Sequence, residues 1–164
     1  MPNSKVLGVE ERVSQFKNPI SVLIVVYTKD LEILLLERAD REGFWQSVTG
    51  SQENNETLMQ TAVRELLEET GISSSEGTLQ DWNFSNEFEI FTHWRHRYAP
   101  GVTKNREHVF GIEVTRDVAV TISDREHTKY QWVDIDDAIP KVFSWTNAEA
   151  LEFLHDNQEV LVQN

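Results

Sequence analysis

One segment of the chain combines seven residues at fixed spacing. Residues 50–72 read GSQENNETLMQTAVRELLEETGI, which follows the pattern G-x5-E-x7-R-E-U-x-E-E-x-G-U with U an aliphatic residue. The fixed positions are Gly50, Glu56, Arg64, Glu65, Glu68, Glu69 and Gly71, and the aliphatic ones are Leu66 and Ile72. Seven fixed letters match by chance about once in a billion starting points if all residue types are equally frequent, so the pattern is specific.

The segment predicts an amphipathic helix over residues 57–70, a stretch without Pro or Gly. Asn54 or Asn55 is the expected N-cap, and Gly71 is the expected C-terminal stop. An apolar stripe of the helix is expected to pack inward and comprises Leu58, Met59, Ala62, Val63 and Leu66.

Three glutamates of this helix indicate a metal site. Glu65, Glu68 and Glu69 stand at positions i, i+3 and i+4 and therefore share one face. A hard divalent cation relieves their mutual repulsion, because Mg²⁺ binds carboxylate oxygens and fills the rest of its shell with water and substrate phosphates. Glutamate-rich helical faces are usually only solvated. The arginine and the two glycines at fixed offsets favour metal-dependent chemistry here.

The composition limits the partners and the compartment that we expect. Of 164 residues, 39% are apolar and 26% charged, as in an ordinary single globular domain. The formal net charge of −13, from 15 basic and 28 acidic side chains, argues against binding to nucleic acid or to an anionic membrane. The chain has no cysteine, no apolar signal segment and no apolar stretch of membrane-spanning length. We therefore expect a cytoplasmic enzyme for a small-molecule substrate, with no obligate protein partner.

Apolar runs and turn residues predict one α/β (α+β) domain at residues 19–164, preceded by a polar N-terminal arm at residues 1–18. The expected strands are 20–28, 31–38, 44–49, one long bent or two short strands within 79–94, 108–115 and 130–133. Besides the helix at 57–70, helices are expected over about 134–139 and from Thr146, in a capping box, to about 160. Strands on both sides of one central helix predict an α/β sandwich around a mixed sheet.

Residues 50–72 resemble the signature sequence of the Nudix hydrolases. Two further stretches, FWQSVTGS at 44–51 and FEIFTHWRHRYAPGVT at 88–103, resemble a bacterial branch of that family that acts on 7,8-dihydroneopterin 3′-triphosphate in folate biosynthesis. The likeness extends from about Lys17 to Trp145. It implies a Nudix-type α/β/α sandwich and a pyrophosphohydrolase that uses Mg²⁺, with Mn²⁺ as a substitute.

The resemblance assigns catalytic and metal-binding roles to individual residues. Glu65 and Glu69 correspond to paired metal ligands, and Glu126 corresponds to a third acidic metal ligand outside the helix. Glu68 is expected to orient water or to complete a second metal site, and Arg64 to fix the orientation of Glu65 or Glu68. From the residues alone, the acid outside the helix stays open between Glu107, Glu113, Asp124 and Glu126.

The resemblance also assigns substrate contacts to Lys17, Arg38, Thr49, Phe88, Glu89, Ile90, Phe91 and Ser144. Lys17 and Arg38 are suited to phosphate oxygens. Phe88, Phe91 and Trp94 are suited to stacking on a flat pterin or purine ring. Two alternatives stay open. Phe88 and Ile90, or Phe91, also fit alternate core positions of a strand. The basic residues between 95 and 106 fit either a surface patch or a clamp for the leaving phosphates.

The predicted reaction converts 7,8-dihydroneopterin 3′-triphosphate to dihydroneopterin monophosphate and pyrophosphate. One alternative keeps the mechanism and changes the substrate to a nucleoside triphosphate, such as dATP or an oxidised purine nucleotide. A second alternative is a non-catalytic nucleotide-binding sensor. The intact set of carboxylates favours the enzyme, because a sensor has no need of Glu68 and Glu69 together.

Overall fold

A computed structural model describes residues 16–163 of the chain. The strands are β1 (Ile20–Tyr27), β2 (Glu32–Arg38), β3 (Trp45–Gln46), β4 (Val48–Ser51), β5 (Leu79–Glu89), β6 (Lys104–Glu113) and β7 (His127–Asp134). The helices are α1 (Leu58–Thr70), α2 (Ile135–Lys141), α3 (Trp145–Asp156) and α4 (Gln158–Leu161), with 3₁₀ turns at Ser74–Glu76 and Thr92–Arg97. Most of the predicted N-terminal arm, residues 1–15, lies outside the described residues, so its boundary at residue 18 stays a prediction.

All seven strands belong to one mixed sheet, in which β3, β2, β1, β6 and β5 follow one another. β1 runs parallel to β6 along its whole length, and its other edge pairs first with β4 and then with β2, both antiparallel. β7 pairs antiparallel with β2. Because β4 leads directly into α1, this topology brings the start of α1 close to the first half of β1.

Successive side chains of β1 enter two different hydrophobic cores. Val22 and Ile24 belong to the core that includes Ala62 and Leu66 of α1. Leu23 and Val25 belong to the core on the opposite face, which includes Ile135, Ala138, Ala150, Leu151 and Leu154 of α2 and α3. A strand buried on both faces explains the uninterrupted apolar run of β1. The predicted α/β/α sandwich is therefore confirmed.

Two predicted helix caps are wrong. The N-cap of α1 is Thr57, whose hydroxyl accepts from the backbone N–H of Gln60, while the Gln60 side chain accepts from the backbone of Thr57. Asn55 has a φ of 69°, outside the extended conformation of an N-cap. The cap of α3 is Ser144 and not Thr146, so α3 begins earlier than expected.

The strand predicted over residues 44–49 is interrupted. β3 pairs with β2 and β4 pairs with β1, and Ser47 lies between them without a place in either ladder. Its backbone N–H donates to Oδ1 of Asn147 at 2.8 Å, and Nδ2 of Asn147 donates to its hydroxyl at 3.0 Å. A side chain of α3 therefore satisfies the polar groups at the break.

Within the segment 79–94, for which one long bent strand or two short strands are expected, the structure has one strand, β5, with an irregularity between Asp81 and Ser85. It ends at Glu89, and the 3₁₀ turn follows. The final helix is divided into α3 and α4 at Asn157. Among residues 16–163, no helix is long and apolar enough to cross a membrane.

Candidate active site

A cavity of about 1640 Å³ is bounded by β4, β6, the end of β5 and the start of α3. The predicted site residues that line it are Lys17, Arg38, Thr49, Glu65, Phe88, Glu89, Ile90, Phe91, Glu126 and Ser144. Arg64, Glu68 and Glu69 lie outside the lining, on α1 beside Glu65. The structure thus brings together residues from nearly the whole length of the described chain.

Glu65 projects from α1 against β4, next to Gly50. It is 8% exposed, and a Cβ atom at residue 50 would overlap its carboxyl group. Glycine at this position therefore leaves the space that the carboxylate occupies. Burial raises the pKa of Glu65 to about 7, although the neighbouring Arg64 guanidinium acts in the opposite direction.

Arg64 connects four neighbouring groups. Its Nε donates to Oε2 of Glu56 at 2.6 Å, and its Nη2 donates to Oε1 of Glu56 and to the carbonyl of Ser51, both at 3.0 Å. Its Nη1 donates to Oε1 of Glu65 at 2.7 Å and to Oε2 of Glu68 at 3.2 Å. The bidentate contact holds the pKa of Glu56 at about 2. This geometry fits the predicted orienting role, with Glu56 as the residue that anchors Arg64.

Glu69, Glu126 and His127 form a compact cluster at the cavity. One possible ligand atom of each lies within 4.8 Å of the other two, and Glu69 and His127 are each 2% exposed. A hydrogen bond with Glu69 and burial raise the pKa of Glu126 to about 7, and burial raises that of Glu69. Burial lowers the pKa of His127 to about 4, so its ring is neutral at pH 7.

A chain of hydrogen bonds assigns the proton on the His127 ring. Nη1 of Arg38 donates to Oε1 of Gln46 at 3.2 Å, so the Gln46 amide nitrogen faces the other way. That nitrogen donates to Oγ1 of Thr49 at 3.2 Å and lies 3.3 Å from Nε2 of His127. Nε2 is then the acceptor, and the proton is on Nδ1, which lies 2.7 Å from Oε2 of Glu69.

The cluster fits a divalent cation. Oε2 of Glu69 and Nδ1 of His127 are close but poorly aligned for a hydrogen bond, and both are buried with no other partner among the described residues. A buried carboxylate oxygen without a partner is costly unless a positive charge compensates it. Glu69 and Glu126 offer the carboxylate oxygens that hard divalent cations prefer, while Glu65, the other predicted metal ligand, lies outside this group of closely spaced atoms and bonds to Arg64. The N–H of His127 lies beside the Glu69 carboxylate without a hydrogen bond in this geometry, in the position from which partners of metal ligands commonly donate.

Cationic side chains line the cavity beside this cluster. The backbone N–H of Lys17 donates to the carbonyl of Arg97 at 2.8 Å, which places both residues at the same rim. Burial and Arg97 lower the pKa of Lys17, while Glu126 raises it. Arg38 is held by Asp40 through two hydrogen bonds of 2.8 Å. Carboxylates and fixed cations at one site suit a metal-bound phosphate chain.

Three rings, Phe91, Trp94 and Phe143, form an aromatic wall of the cavity. The Phe91 and Trp94 centroids are 5.1 Å apart, and each lies 6.3 Å from Phe143. The Arg38 guanidinium stacks 4.5 Å above Trp94. Phe91 is 43% exposed, whereas Ile90 is 3% exposed and belongs to the core. Both residues line the cavity, so the buried Ile90 combines a core position with a place in the wall, and the substrate contacts of residues 88–91 stay a prediction.

The four acids that the sequence leaves open as the metal ligand outside the helix lie in different places in the structure. Among the described residues, Glu126 is the only one of them within the acidic cluster. Glu107 lies on the cavity wall, 5% exposed, while Glu113 and Asp124 do not line the cavity. Ser144 lines it as the cap of α3.

Sequence reasoning missed several residues that the structure brings to the site, among them His127, Gln46 and Phe143. His127 directly follows Glu126, and that adjacency was the available signal. Gln46 lies in the FWQSVTGS stretch, but nothing in its local pattern indicates that it bonds to Arg38 and contacts His127.

Comparisons with known proteins identify the family of the chain. The NUDIX domain model matches residues 17–154. The chain is 44% identical over 140 residues to the dihydroneopterin triphosphate diphosphatase of Escherichia coli K12, covering 84% of this chain and 92% of that protein. It is 46% identical over 141 residues to the Haemophilus influenzae protein of the same name, covering 84% of this chain and 88% of that protein.

Solved structures give the same result at the level of the fold. The E. coli dihydroneopterin triphosphate pyrophosphohydrolase superposes with a TM-score of 0.81 at 43% identity, covering 87% of this chain and 98% of that one. A Caenorhabditis elegans Ap4A hydrolase superposes with a TM-score of 0.69 at 20% identity, covering 85% and 97%, and shows the shared fold alone. With a family model that matches most of its length and relatives above 40% identity, the chain belongs to the Nudix family of hydrolases.

Proposed function

We propose that the protein is a Mg²⁺-dependent pyrophosphohydrolase of folate biosynthesis. It cleaves 7,8-dihydroneopterin 3′-triphosphate to dihydroneopterin monophosphate and pyrophosphate. The observation that carries the proposal is one cavity lined by carboxylates, by fixed cations and by aromatic rings. The relatives of 44–46% identity that carry the dihydroneopterin triphosphate name support this choice of substrate.

Glu65, Glu69 and Glu126 hold the metal in this proposal. When bound, Mg²⁺ supplies charge neutralisation at the phosphoryl oxygens and activation of water. Arg64 keeps the Glu65 carboxylate in place through its 2.7 Å hydrogen bond. Glu68 bonds to the same guanidinium, and its proposed role is to orient the attacking water.

The cations and the rings bind the two ends of the substrate. Lys17 and Arg38 contact phosphate oxygens, and the aromatic wall of Phe91, Trp94 and Phe143 covers the flat ring. Arg38 is already fixed by Asp40 and Gln46, so little conformational entropy is lost when it binds an anion.

A side-by-side assay tests the proposal. Purified protein with Mg²⁺ is given dihydroneopterin triphosphate, dGTP or dATP, and phosphate is measured with and without inorganic pyrophosphatase. We expect kcat/KM for the pterin to exceed that for dATP by at least about tenfold, because a polar site left without its partners penalises the wrong ring. We also expect free phosphate to require pyrophosphatase. A clear preference for dATP contradicts the substrate, and direct release of orthophosphate contradicts the reaction.

A further inference from the structure

The structure distinguishes the five basic residues that the sequence leaves open between a surface patch and a clamp for phosphates, which are Arg95, His96, Arg97, Lys104 and Arg106. Nε of Arg95 donates to the carbonyl of Ile90 at 3.0 Å, so this guanidinium serves the backbone. Lys104 and Arg106 pair with Glu87 of β5 at 3.9 and 3.5 Å, and these side chains are exposed. His96 is exposed and lies outside the cavity lining. Of the five, which all belong to the described residues, only Arg97 lines the cavity.

The guanidinium of Arg97 has only loose contacts. Within residues 16–163 its one ion pair is with Asp40, and the 3.7 Å between Nη2 and Oδ2 is longer than a hydrogen bond. The ring centroid of Trp94 lies 5.8 Å from its central carbon. Arg38, in contrast, is bound to Asp40 by two hydrogen bonds of 2.8 Å. Arg97 therefore keeps its N–H donors for an anion in the cavity.

The backbone holds Arg97 at the rim of the cavity. Its carbonyl accepts from the N–H of Lys17 at 2.8 Å, and the N–H of the next residue, Tyr98, donates to the carbonyl of Arg95 at 3.0 Å. Lys17 and Tyr98 also pair as a parallel bridge. The side chain of Arg97 therefore starts from a fixed point beside Lys17, and only its own torsions must be ordered when an anion binds.

Three cations, Lys17, Arg38 and Arg97, converge at this rim. Burial lowers the pKa of Lys17, and the positive charges of Arg97 and Arg38 lower it further, while Glu126 raises it. Among the described residues, the only salt-bridge partner of the three cations is Asp40. When a divalent cation neutralises Glu126 and the other proposed metal ligands, the excess positive charge at the rim suits a highly charged anion.

The exposure of Arg97 indicates which part of a triphosphate it faces. Its side chain is 37% exposed and that of Arg38 is 18% exposed, so Arg97 lies nearer to the mouth of the cavity. The terminal phosphate of a triphosphate has one more ionisable oxygen than the inner phosphates and therefore carries the most negative charge. Cleavage to a monophosphate and pyrophosphate releases the two terminal phosphates together, and this departing group must leave through the mouth.

We propose that Arg97 binds the two terminal phosphates of the substrate and the pyrophosphate that they become. The N–H groups of a guanidinium form a planar fork that can bond to two phosphate oxygens at once, unlike the compact ammonium group of lysine. The proposal rests on the proposed function, to which it adds a substrate-binding residue.

The test uses pyrophosphate itself as the probe. Its binding to the purified protein with Mg²⁺ is measured by calorimetric titration, and the binding of dihydroneopterin monophosphate is measured in the same way. In Arg97→Gln we expect pyrophosphate to bind about 10- to 100-fold more weakly, because hydrogen bonds between charged groups are lost, and the monophosphate to bind within about twofold of the wild type. Arg106→Gln is the matched control, because it makes the same substitution at a basic residue of the same segment outside the cavity, and it should match the wild type.

Two further variants distinguish a direct contact from an indirect effect. Arg97→Lys keeps the charge without the planar fork and should recover part, but not all, of the lost affinity for pyrophosphate. Asp40→Asn removes the ion-pair partner, and in that background Arg97→Gln should still weaken pyrophosphate binding by about tenfold. No further effect in that background overturns the proposal, since Arg97 would then act only by holding Asp40. An equal loss for pyrophosphate and the monophosphate in Arg97→Gln also overturns it.

The titrations separate this inference from the proposed function. Pyrophosphate binding does not depend on which substrate is hydrolysed, and the stoichiometry of each titration reports the fraction of folded protein. If the wild type prefers dATP to the pterin triphosphate, the proposed substrate is wrong, while the titration still decides the role of Arg97. If the wild type acts on the pterin triphosphate as proposed but Arg97→Gln binds pyrophosphate as tightly as the wild type, only the inference about Arg97 is wrong. If the wild type releases orthophosphate and does not bind pyrophosphate, both proposals are wrong.

Discussion

Gly50 and Glu65 are in direct contact, because the absence of a side chain on the glycine leaves room for the glutamate. The carboxyl group of Glu65 lies where a Cβ atom of residue 50 would be, and the helix that carries it is anchored to the same strand through the bond from Arg64 to Ser51. Any side chain at residue 50 therefore displaces a proposed metal ligand.

The first prediction concerns this contact. In Gly50→Ala, the added methyl group forces Glu65 out of its position, and we expect kcat to fall at least about tenfold, because misplacement of a catalytic group by about 1 Å is already costly. Steady-state hydrolysis of the pterin triphosphate at saturating Mg²⁺ measures the effect.

Gly111→Ala is the control for the general effect of steric overlap on stability, at a glycine that is not in the cavity wall. A Cβ atom at Gly111 would overlap the ring of Trp82, in the core away from the cavity. This variant is expected to lose about 1–3 kcal/mol of unfolding free energy with little change in the kcat of the folded enzyme. If the two variants behave alike in both assays, the special role of Gly50 is refuted.

The second prediction concerns Glu69. Glu69→Gln removes the charge of a buried carboxylate in the metal cluster, and we expect kcat to fall roughly 10²- to 10⁵-fold with the fold retained. Mn²⁺ binding followed by electron paramagnetic resonance should weaken in parallel. Glu152→Gln, an exposed acid on α3, is the control and should match the wild type. More than about a tenth of wild-type turnover in Glu69→Gln would show that Glu69 is not a metal ligand.

The third prediction concerns the N–H group of His127, whose Nδ1 lies 2.7 Å from Oε2 of Glu69. An asparagine amide can place an N–H near the position of Nδ1, whereas leucine cannot. We therefore expect His127→Leu to raise the Mg²⁺ concentration for half-maximal rate about 10- to 100-fold and His127→Asn to recover most of it. A purely structural role for His127 predicts lower melting temperatures in both variants and an unchanged Mg²⁺ dependence.

The fourth prediction is a dependence of stability on pH at Glu107. Its pKa is raised from 4.5 to about 7 in the folded protein, so the protonated form is favoured there, and the associated stability is lost as the pH rises through that interval. Glu107→Gln has no proton to lose. Its melting temperature relative to the wild type should therefore be higher, by several degrees, at pH 8 than at pH 5. Thermal unfolding of both proteins at the two pH values measures this difference, and an equal difference at both contradicts the raised pKa.

Local sequence patterns predict much of the fold, because strand burial and helix ends depend mainly on residues that are close together in the sequence. The apolar run of β1 indicates a strand that is buried on both faces, and Gly71 ends α1 with a φ of 71° as expected. The residues of the α1 cap, Thr57 and Gln60, are visible in the sequence. Asn54 and Asn55 lie just before them, and asparagine is an equally common N-cap residue, so local sequence alone does not distinguish the two positions.

Long-range contacts account for what the sequence did not reveal. The interruption at Ser47 depends on Asn147, which lies 100 positions away. Helical periodicity indicates that Glu65 and Glu69 share a face, but His127 reaches Glu69 through the pairing of β7 with β2. Glu107 similarly looks like any strand acid until the cavity beside it is known.

The proposed phosphate-binding and ring-binding parts of the cavity belong to different elements, which has an evolutionary consequence. The carboxylates proposed to hold the metal belong to α1 and to the residue before β7. The aromatic wall proposed to cover the ring belongs to the residues in and beside the 3₁₀ turn after β5 and to Phe143 before α3. Under this proposal, substitutions in the aromatic wall would change which molecule is accepted while the carboxylates stay the same, so a few changes outside α1 would be enough for a new substrate.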